Sequence, residues 1–189
     1  RNAEGLKAFN EISEEIDKLT VKDLPVFIAN LNKKGIGTLF SYGIFDDLKN
    51  NTMNASYFSQ TGFGLPDKDY YTKDDEKSKE LREKYVAHVA KMFELAGVDA
   101  SAKDVYNMEF MLVSNAMNST ERRNIPALYN KMSFDEFNKF SKKFDFEKYI
   151  VELGAKVEDT VIVMQPKYYK NLDNALSDDL SKIKAYLKW

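Results

Sequence analysis

Cysteine is absent from this 189-residue chain, and histidine occurs once. The first absence excludes a disulfide scaffold, a thiolate zinc site and a cysteine nucleophile. It leaves the compartment open, because a chain this long folds without bridges. The single imidazole, His88, is followed by Val89-Ala90-Lys91-Met92. A helical zinc site needs a second histidine four residues on, with a Glu between, so that both rings share one face. A histidine-based general base would rest on His88 alone, with no nucleophile motif beside it. Glycine (8) and proline (4) are sparse, which favours long regular elements over an all-β fold. No run approaches the roughly 18 apolar residues of a membrane span. Arg1-Asn2-Ala3-Glu4-Gly5 is no signal peptide. Without an initiating Met the chain is expected to begin inside a longer protein. Net charge is −2, so the basic surplus that binds a phosphate backbone is missing. The densest basic cluster, Lys139, Lys142 and Lys143, reads as a solvated face, and nucleic acid is excluded as a partner.

Aromatic residues are plentiful: 13 Phe, 11 Tyr and 1 Trp within a 43% hydrophobic composition. A few buried rings can therefore carry much of a core. Leu6, Phe9, Ile12, Ile16 and Leu19 recur at helical spacing and predict a helix over residues 3–18. A second helix is expected over 21–33, opened by Thr20 with Asp23 three residues on and closed by Gly35. Leu39 to Phe45 and Ala55 to Gln60 read as two short strands. Asp46 to Asn54, rich in Asp and Asn, reads as the turn between them. A helix over 75–96 starts at Asp74 or Asp75 and stops at Gly97, with Leu81, Tyr85, His88, Met92 and Leu95 as its apolar stripe. The next starts at the Ser101–Asp104 box, runs to about 118 and is apolar nearly all round, hence buried. Ser133 and Asp145 are expected caps of two further helices, and Pro166 fits a helical first turn. Ser177 is the expected cap of the last helix, with Leu180, Ile183 and Leu187 on one face; that helix looks cut at Trp189. Val161-Ile162-Val163 reads as an isolated extended piece. The expected fold is mainly α: one compact multi-helix lobe with one small β-hairpin near residues 39–60.

Chemistry-bearing patterns are few. Asp67-Lys68-Asp69 begins like a calcium loop, but Thr72 replaces its glycine and Ser78 its closing glutamate. Asp67 and Asp69 are expected to cap local N–H groups instead. Gly35-x-Gly37 and Gly62-x-Gly64 extend to no phosphate-binding motif; the second pair fits a tight loop ending at Pro66. Glu109 lies inside the most apolar helix, where an unpaired carboxylate is costly. It is expected to pair with an arginine, Arg122 or Arg123 being near in sequence, or with backbone donors, in a structural role. Asn50, Asn54 and Asn118 head sequon patterns that matter only in a secretory eukaryotic setting.

One ordered set of segments resembles a known family. Leu39-Phe40-Ser41-Tyr42-Gly43 with Asp46-Asp47-Leu48-Lys49-Asn50 is similar to a stretch of the neprilysin-type zinc metallopeptidases. Gln60-Thr61-Gly62-Phe63-Gly64-Leu65-Pro66-Asp67-Lys68-Asp69-Tyr70-Tyr71 resembles that family's Q-x-G-L-G-L-P-D-R-D-Y-Y segment, with Phe63 and Lys68 as departures. Glu121-Arg122-Arg123 and Leu128-Tyr129-Asn130-Lys131-Met132-Ser133 resemble its R…Y-N-K-M block. Gln165-Pro166-Lys167-Tyr168 and Lys184-Ala185-Tyr186-Leu187-Lys188-Trp189 resemble its P-x-Y and Y-L-x-W elements. The blocks keep the family's order over residues 39–189.

The resemblance implies two helical lobes around a cavity. One lobe holds zinc in a His-Glu-x-x-His helix; the other covers the cavity and admits short peptides. Residues 1–189 would be part of the N-terminal covering lobe. The catalytic lobe of the same polypeptide and short peptides would be its partners. Zinc would belong to the full-length parent, bound outside this chain. No catalytic, cofactor-binding or metal-binding residue is expected within it. The lack of cysteine suggests a bacterial member, and an extracytoplasmic place (periplasm or cell surface) is expected, with the cytoplasm as the other option. The rival reading is a free-standing helical module that binds peptides or proteins. Apolar surface is expected to be exposed where the other lobe would cover it.

Overall fold

The computed structural model describes residues 5–176 and 180–189. The chain opens with α1 (Lys7–Lys18) and α2 (Leu24–Lys33), joined by a 3-10 turn at Val21–Asp23. The Asp23 carboxylate reaches back to the Thr20 backbone N–H (2.9 Å) and hydroxyl (2.6 Å), as the sequence predicts. Strands β1 (Phe40–Asp47) and β2 (Asn50–Gln60) follow, then α3 (Lys68–Thr72), α4 (Glu76–Ala96) and α5 (Ala102–Val113). A 3-10 turn at Glu121–Arg123 leads into α6 (Ile125–Leu128), β3 (Lys131–Ser133), α7 (Phe134–Asn138) and α8 (Phe146–Leu153). Strand β4 (Thr160–Val163), α9 (Pro166–Lys170), α10 (Leu172–Ala175) and α11 (Ser181–Lys188) complete it. The expected helix start at residue 3 and the expected Ser177 cap lie outside the described residues.

The fold is mainly α with a small sheet, and the caps read from sequence are in place. Asp75, Ser101, Ser133 and Asp145 each accept from a backbone N–H of the first turn they open. Gly97 and Gly154 close α4 and α8 in the left-handed conformation.

Four sequence expectations need correction. Helix α5 ends at Val113 rather than near residue 118. The hairpin is longer and its turn shorter than composition implied. Both strands run on through Asp46 to Asn54, leaving only Leu48 and Lys49 as the connection. The distal half stands in solvent on most positions, so polar side chains suit it as well as apolar ones. Val161–Val163 is not isolated. It pairs in parallel with β2, Tyr57 opposite Ile162, and antiparallel with β3, Lys131 opposite Ile162, giving sheet order β1-β2-β4-β3. Finally, α4 buries Tyr85, Val89 and Phe93, whereas Met92 (43% exposed) and Leu95 (65% exposed) face out. His88 is exposed too, its ring 5.7 Å from that of Trp189.

Two packed zones hold the molecule together. One face of β1–β2 presents Phe40 and Phe58 to Phe137, Phe144, Phe146, Tyr149 and Tyr169, all fully buried. Ring centroids there lie as close as 4.3 Å (Phe137–Phe146) and 4.5 Å (Phe58–Phe137). Such pairs add about 0.5–1.5 kcal/mol each beyond their area burial. Helix α2 packs on α8, joined by Tyr149 Oη–H to Asn32 Oδ1 at 2.6 Å and Lys33–Glu152 at 3.0 Å. In the second zone α5 packs between α4 and α11. There Val105, Met108 and Leu112 are buried with Val89, Phe93 and Ile183.

Candidate functional site

The segment Gln60–Tyr71 lies between these zones, tied down along most of its length. Gln60 donates its backbone N–H to Gln165 Oε1 (3.0 Å), while its side chain donates to Met117 O (2.7 Å) and accepts from Met117 N–H (2.8 Å). Gly62 O accepts from Tyr186 Oη–H at 2.9 Å. Gly64 N–H donates to Glu109 Oε1 at 3.0 Å, and Leu65 N–H to Tyr71 Oη at 2.9 Å. Gly62 has φ +87, and a Cβ there would press on the Tyr186 hydroxyl and stand 2.9 Å from Leu39 N. Gly64 is needed for a different reason: a Cβ would occupy the place of the Tyr85 hydroxyl.

Glu109 is the hub of this loop. It is 1% exposed and sits on the buried side of α5. Its Oε1 accepts from Gly64 N–H and from Tyr85 Oη–H (2.9 Å), and its Oε2 from Tyr71 Oη–H (2.8 Å). Trp189 Nε1–H in turn donates to Tyr85 Oη at 2.9 Å. The expectation of a buried carboxylate that accepts from a backbone donor holds; its remaining partners are tyrosines rather than an arginine. Arg122 pairs with Asp67 instead, at 3.4 Å. Burial pushes the Glu109 carboxyl upward, opposed by its three hydrogen bonds. Burial and the Glu109 charge in turn push both tyrosine hydroxyls well up, so they stay donors.

Asp47, which the sequence offers as turn composition and as part of the first family-like block, forms a second buried carboxylate at the hairpin tip. It is 4% exposed. It accepts from Lys49 N–H (2.9 Å), Tyr129 Oη–H (2.9 Å) and Lys131 Nζ (3.0 Å). The Lys49 N–H bond first, then Lys131, hold its carboxyl down at about 2. The Lys49 ammonium lies over the Tyr129 ring, 4.4 Å from its centroid. Tyr57 Oη accepts from Leu48 N–H and donates to Asp46 O, fastening the same turn. Beside this clamp Ile44, Phe45, Leu48 and Met53 are all more than half exposed.

The remaining sequence candidates stay apart from any common centre. Asp67 accepts from Asp69 N–H (3.1 Å), as expected of a cap, and Asp69 pairs with Lys73 at 3.1 Å. Around them lies a cavity of about 570 Å³ between α3 and α4 whose carboxylates and lysines offset one another. Among the described residues no three or more His, Cys, Asp and Glu side chains stand close enough to hold a metal ion. No described helix is long and apolar enough to cross a membrane.

The segments that looked familiar in sequence meet in space. Asp47 of the first block is held by Tyr129 and Lys131 of the third. Gln60 and Asp67 of the second meet Gln165 and Arg122 of later ones. Tyr168 donates to Leu39 O, and Tyr186 and Trp189 reach the Glu109 loop. The scattered blocks are thus bonded to one another within one packed unit.

Comparison with known proteins agrees. The N-terminal model of peptidase family M13 matches residues 1–189, and the chain belongs to that family. The neutral endopeptidase of Lactococcus lactis subsp. cremoris is 29% identical over 152 residues, covering 78% of this chain and 24% of the relative. Mouse neprilysin is 29% identical over 177 residues, covering 79% and 23%. Among solved structures, the Mycobacterium tuberculosis zinc metalloprotease Zmp1 in complex with inhibitor superposes with a TM-score of 0.90 at 23% identity. It covers all of this chain and 30% of that one. PepO from Lactobacillus rhamnosis reaches 0.77 at 15% identity, covering 98% of this chain and 31% of that one. This chain thus spans about a quarter of the curated relatives it matches.

Proposed function

We propose that this chain is the non-catalytic lobe of a zinc-dependent endopeptidase, forming the wall that covers the cavity and limits substrates to short peptides. The carrying observation is the M13 match along the whole chain, while the chain spans only about a quarter of relatives named as endopeptidases. On this reading residues 1–189 contribute no catalytic or metal-binding side chain. The zinc, the general base and the residues beside the cut bond belong to the other lobe of the parent polypeptide. The metal there would polarise the scissile carbonyl and activate water. What this chain does is steric and positional. Its tied-down Gln60–Tyr71 loop and clamped hairpin give a wall with fixed side chains, and a rigid wall can select by size. The parent is read as bacterial and extracytoplasmic.

The test compares the parent with this chain, using a quenched-fluorescence peptide of about ten residues and unfolded casein as the large substrate. Such a peptide spans roughly 33 Å when extended. The parent should cleave the peptide much faster than casein, lose activity to 1,10-phenanthroline and regain it with zinc. This chain alone should cleave neither substrate and retain no stoichiometric zinc. Chelator-resistant cleavage by the parent, or cleavage by this chain, would overturn the reading.

A further inference from the structure

Lys139, Lys142 and Lys143 are neighbours in sequence, where they read as a solvated face. Folding regroups them. Lys142 and Lys143 meet Lys22 and Lys148 around a hollow of about 440 Å³, between the 3-10 turn at Val21–Asp23 and the start of α8. Lys139 is not on its lining. Asp145 is the single acid there, and its Oδ1 accepts from Lys148 N–H at 3.0 Å. Asp23, on the same turn as Lys22, is taken up by the Thr20 N–H and hydroxyl. Among the described residues Lys22, Lys142 and Lys148 form no ion pair.

The backbone that carries these lysines is fixed. Ser141 Oγ accepts from Phe144 N–H (2.8 Å) and Lys143 N–H (3.2 Å), and donates to Asp173. Asp173 accepts in turn from Lys142 N–H at 2.8 Å, and Asn138 Oδ1 from Phe146 N–H at 3.0 Å. Lys22 is set opposite by the packing of α2 on α8, with Lys148 Nζ 3.5 Å from Lys22 O. Like charges gathered by folding repel, and one aspartate does not balance four lysines. A concave site walled by one sign of charge focuses its field and concentrates counter-ions.

We propose that this lysine-lined hollow binds a compact anion carrying two or more phosphoryl groups. A round hollow of its volume is about 9 Å across. Carboxylates on one face of an extended acidic segment stand about 7 Å apart. Such a segment, whether of a substrate or of the parent polypeptide beyond this chain, therefore brings only one or two charges inside. Linked phosphoryl groups bring several charges into the same space, and lysine ammonium groups bind phosphoryl oxygens as point charges. The inference is independent of the peptidase reading.

The test is isothermal titration calorimetry on the full parent in phosphate-free buffer, with sodium tripolyphosphate as the probe. Parent and variants carry the same metal, so chelation by the probe cancels in their difference. Saturable binding is expected, weakened about tenfold or more by Lys142→Gln combined with Lys148→Gln. Both lysines are exposed, so the double variant should fold; should it not, Lys142→Gln alone decides. Lys139→Gln removes a charge beside the hollow but off its lining, and should leave binding unchanged. No saturable binding, or binding equal in wild type and the double variant, overturns the proposal. So does binding that Lys139→Gln weakens as much as the double variant, since it reads general charge attraction. Binding by this chain alone that the parent lacks overturns it too, because the rest of the parent then covers the hollow. Sedimentation with phosphatidylcholine vesicles containing cardiolipin separates two sources of the same chemistry. Co-sedimentation that the double variant loses supports a diphosphoryl headgroup, and tripolyphosphate binding without co-sedimentation supports a free anion.

Discussion

Two carboxylates among the described residues are almost completely removed from water, and they are held in opposite ways. Glu109 sits among neutral donors, two tyrosine hydroxyls and one backbone N–H, inside an aromatic helical layer. Asp47 sits at the end of a hairpin with an ammonium, a tyrosine and a backbone N–H. Burial raises the first carboxyl, and hydrogen bonds with the Lys131 charge lower the second. The difference shows what each is for. Glu109 is an acceptor around which a glycine-rich loop is organised, at the cost of a desolvated charge. Asp47 is an ion pair that fastens a protruding turn.

The largest effect should come from taking away the inner hub. Glu109→Ala leaves Gly64 N–H, Tyr71 Oη–H and Tyr85 Oη–H without their acceptor in a buried site. Each orphaned donor costs about 1–3 kcal/mol, partly relieved by water entering the space, so a net loss of about 3–4 kcal/mol is expected in urea denaturation. Glu109→Gln keeps an acceptor oxygen and should cost clearly less. An Ala variant as stable as the wild type would show that the loop does not depend on the hub.

Gly62→Ala should come next. It forces an L side chain into φ +87 with a Cβ 2.9 Å from Leu39 N, a strain of about 1–3 kcal/mol. Melting temperature reads this directly, and an unchanged value would mean that the loop relocates freely.

The two carboxylates also differ in the sign of their pH dependence. The Glu109 carboxyl is raised above its unfolded value of about 4.3, so its ionisation weighs against folding once the unfolded chain ionises there. Wild type should therefore lose stability relative to Glu109→Gln as pH climbs above about 4. Asp47 is lowered to about 2, so its contribution is complete above its unfolded value of about 3.9 and fades as pH falls toward 2. Wild type should hold its advantage over Asp47→Asn at neutral pH and lose it in acid. Asp47→Asn should cost less than Glu109→Ala and speed amide exchange chiefly near the turn. Parallel pH profiles for the two variants would erase the contrast.

The inner region was more legible in sequence than the outer one, for physical reasons. A glutamate inside an apolar helix announces that it must be satisfied, and capping residues act within one turn, so Asp75, Ser101, Ser133 and Asp145 could be placed. The tyrosines that satisfy Glu109 come from 38 and 24 residues away, which no local pattern reveals. Asp47 was hidden because Asp and Asn also compose turns, and its partners lie 82 and 84 residues on. The same distance problem concealed the β2–β4 pairing. The stripe on α4 was misplaced because only Tyr85, Val89 and Phe93 are buried on that helix, leaving Met92 and Leu95 to mimic a second apolar face.

The smallest effect is the most informative about the outer region. Phe45 is 65% exposed and Met53 61%, yet both are large and apolar. Were they folding elements, the pair Phe45→Ser and Met53→Ser would cost several kcal/mol, as truncating buried side chains does. Exposed positions away from caps and networks usually change stability by less than about 0.5 kcal/mol. The double variant is expected to fall in that range, with an unchanged midpoint in urea. Stability unmoved by losing its apolar tip, beside a clamp whose loss loosens the same turn, separates holding the hairpin from what the hairpin presents. A loss above about 2 kcal/mol would place the tip in the core with Glu109 and make Asp47 a core residue of the same kind.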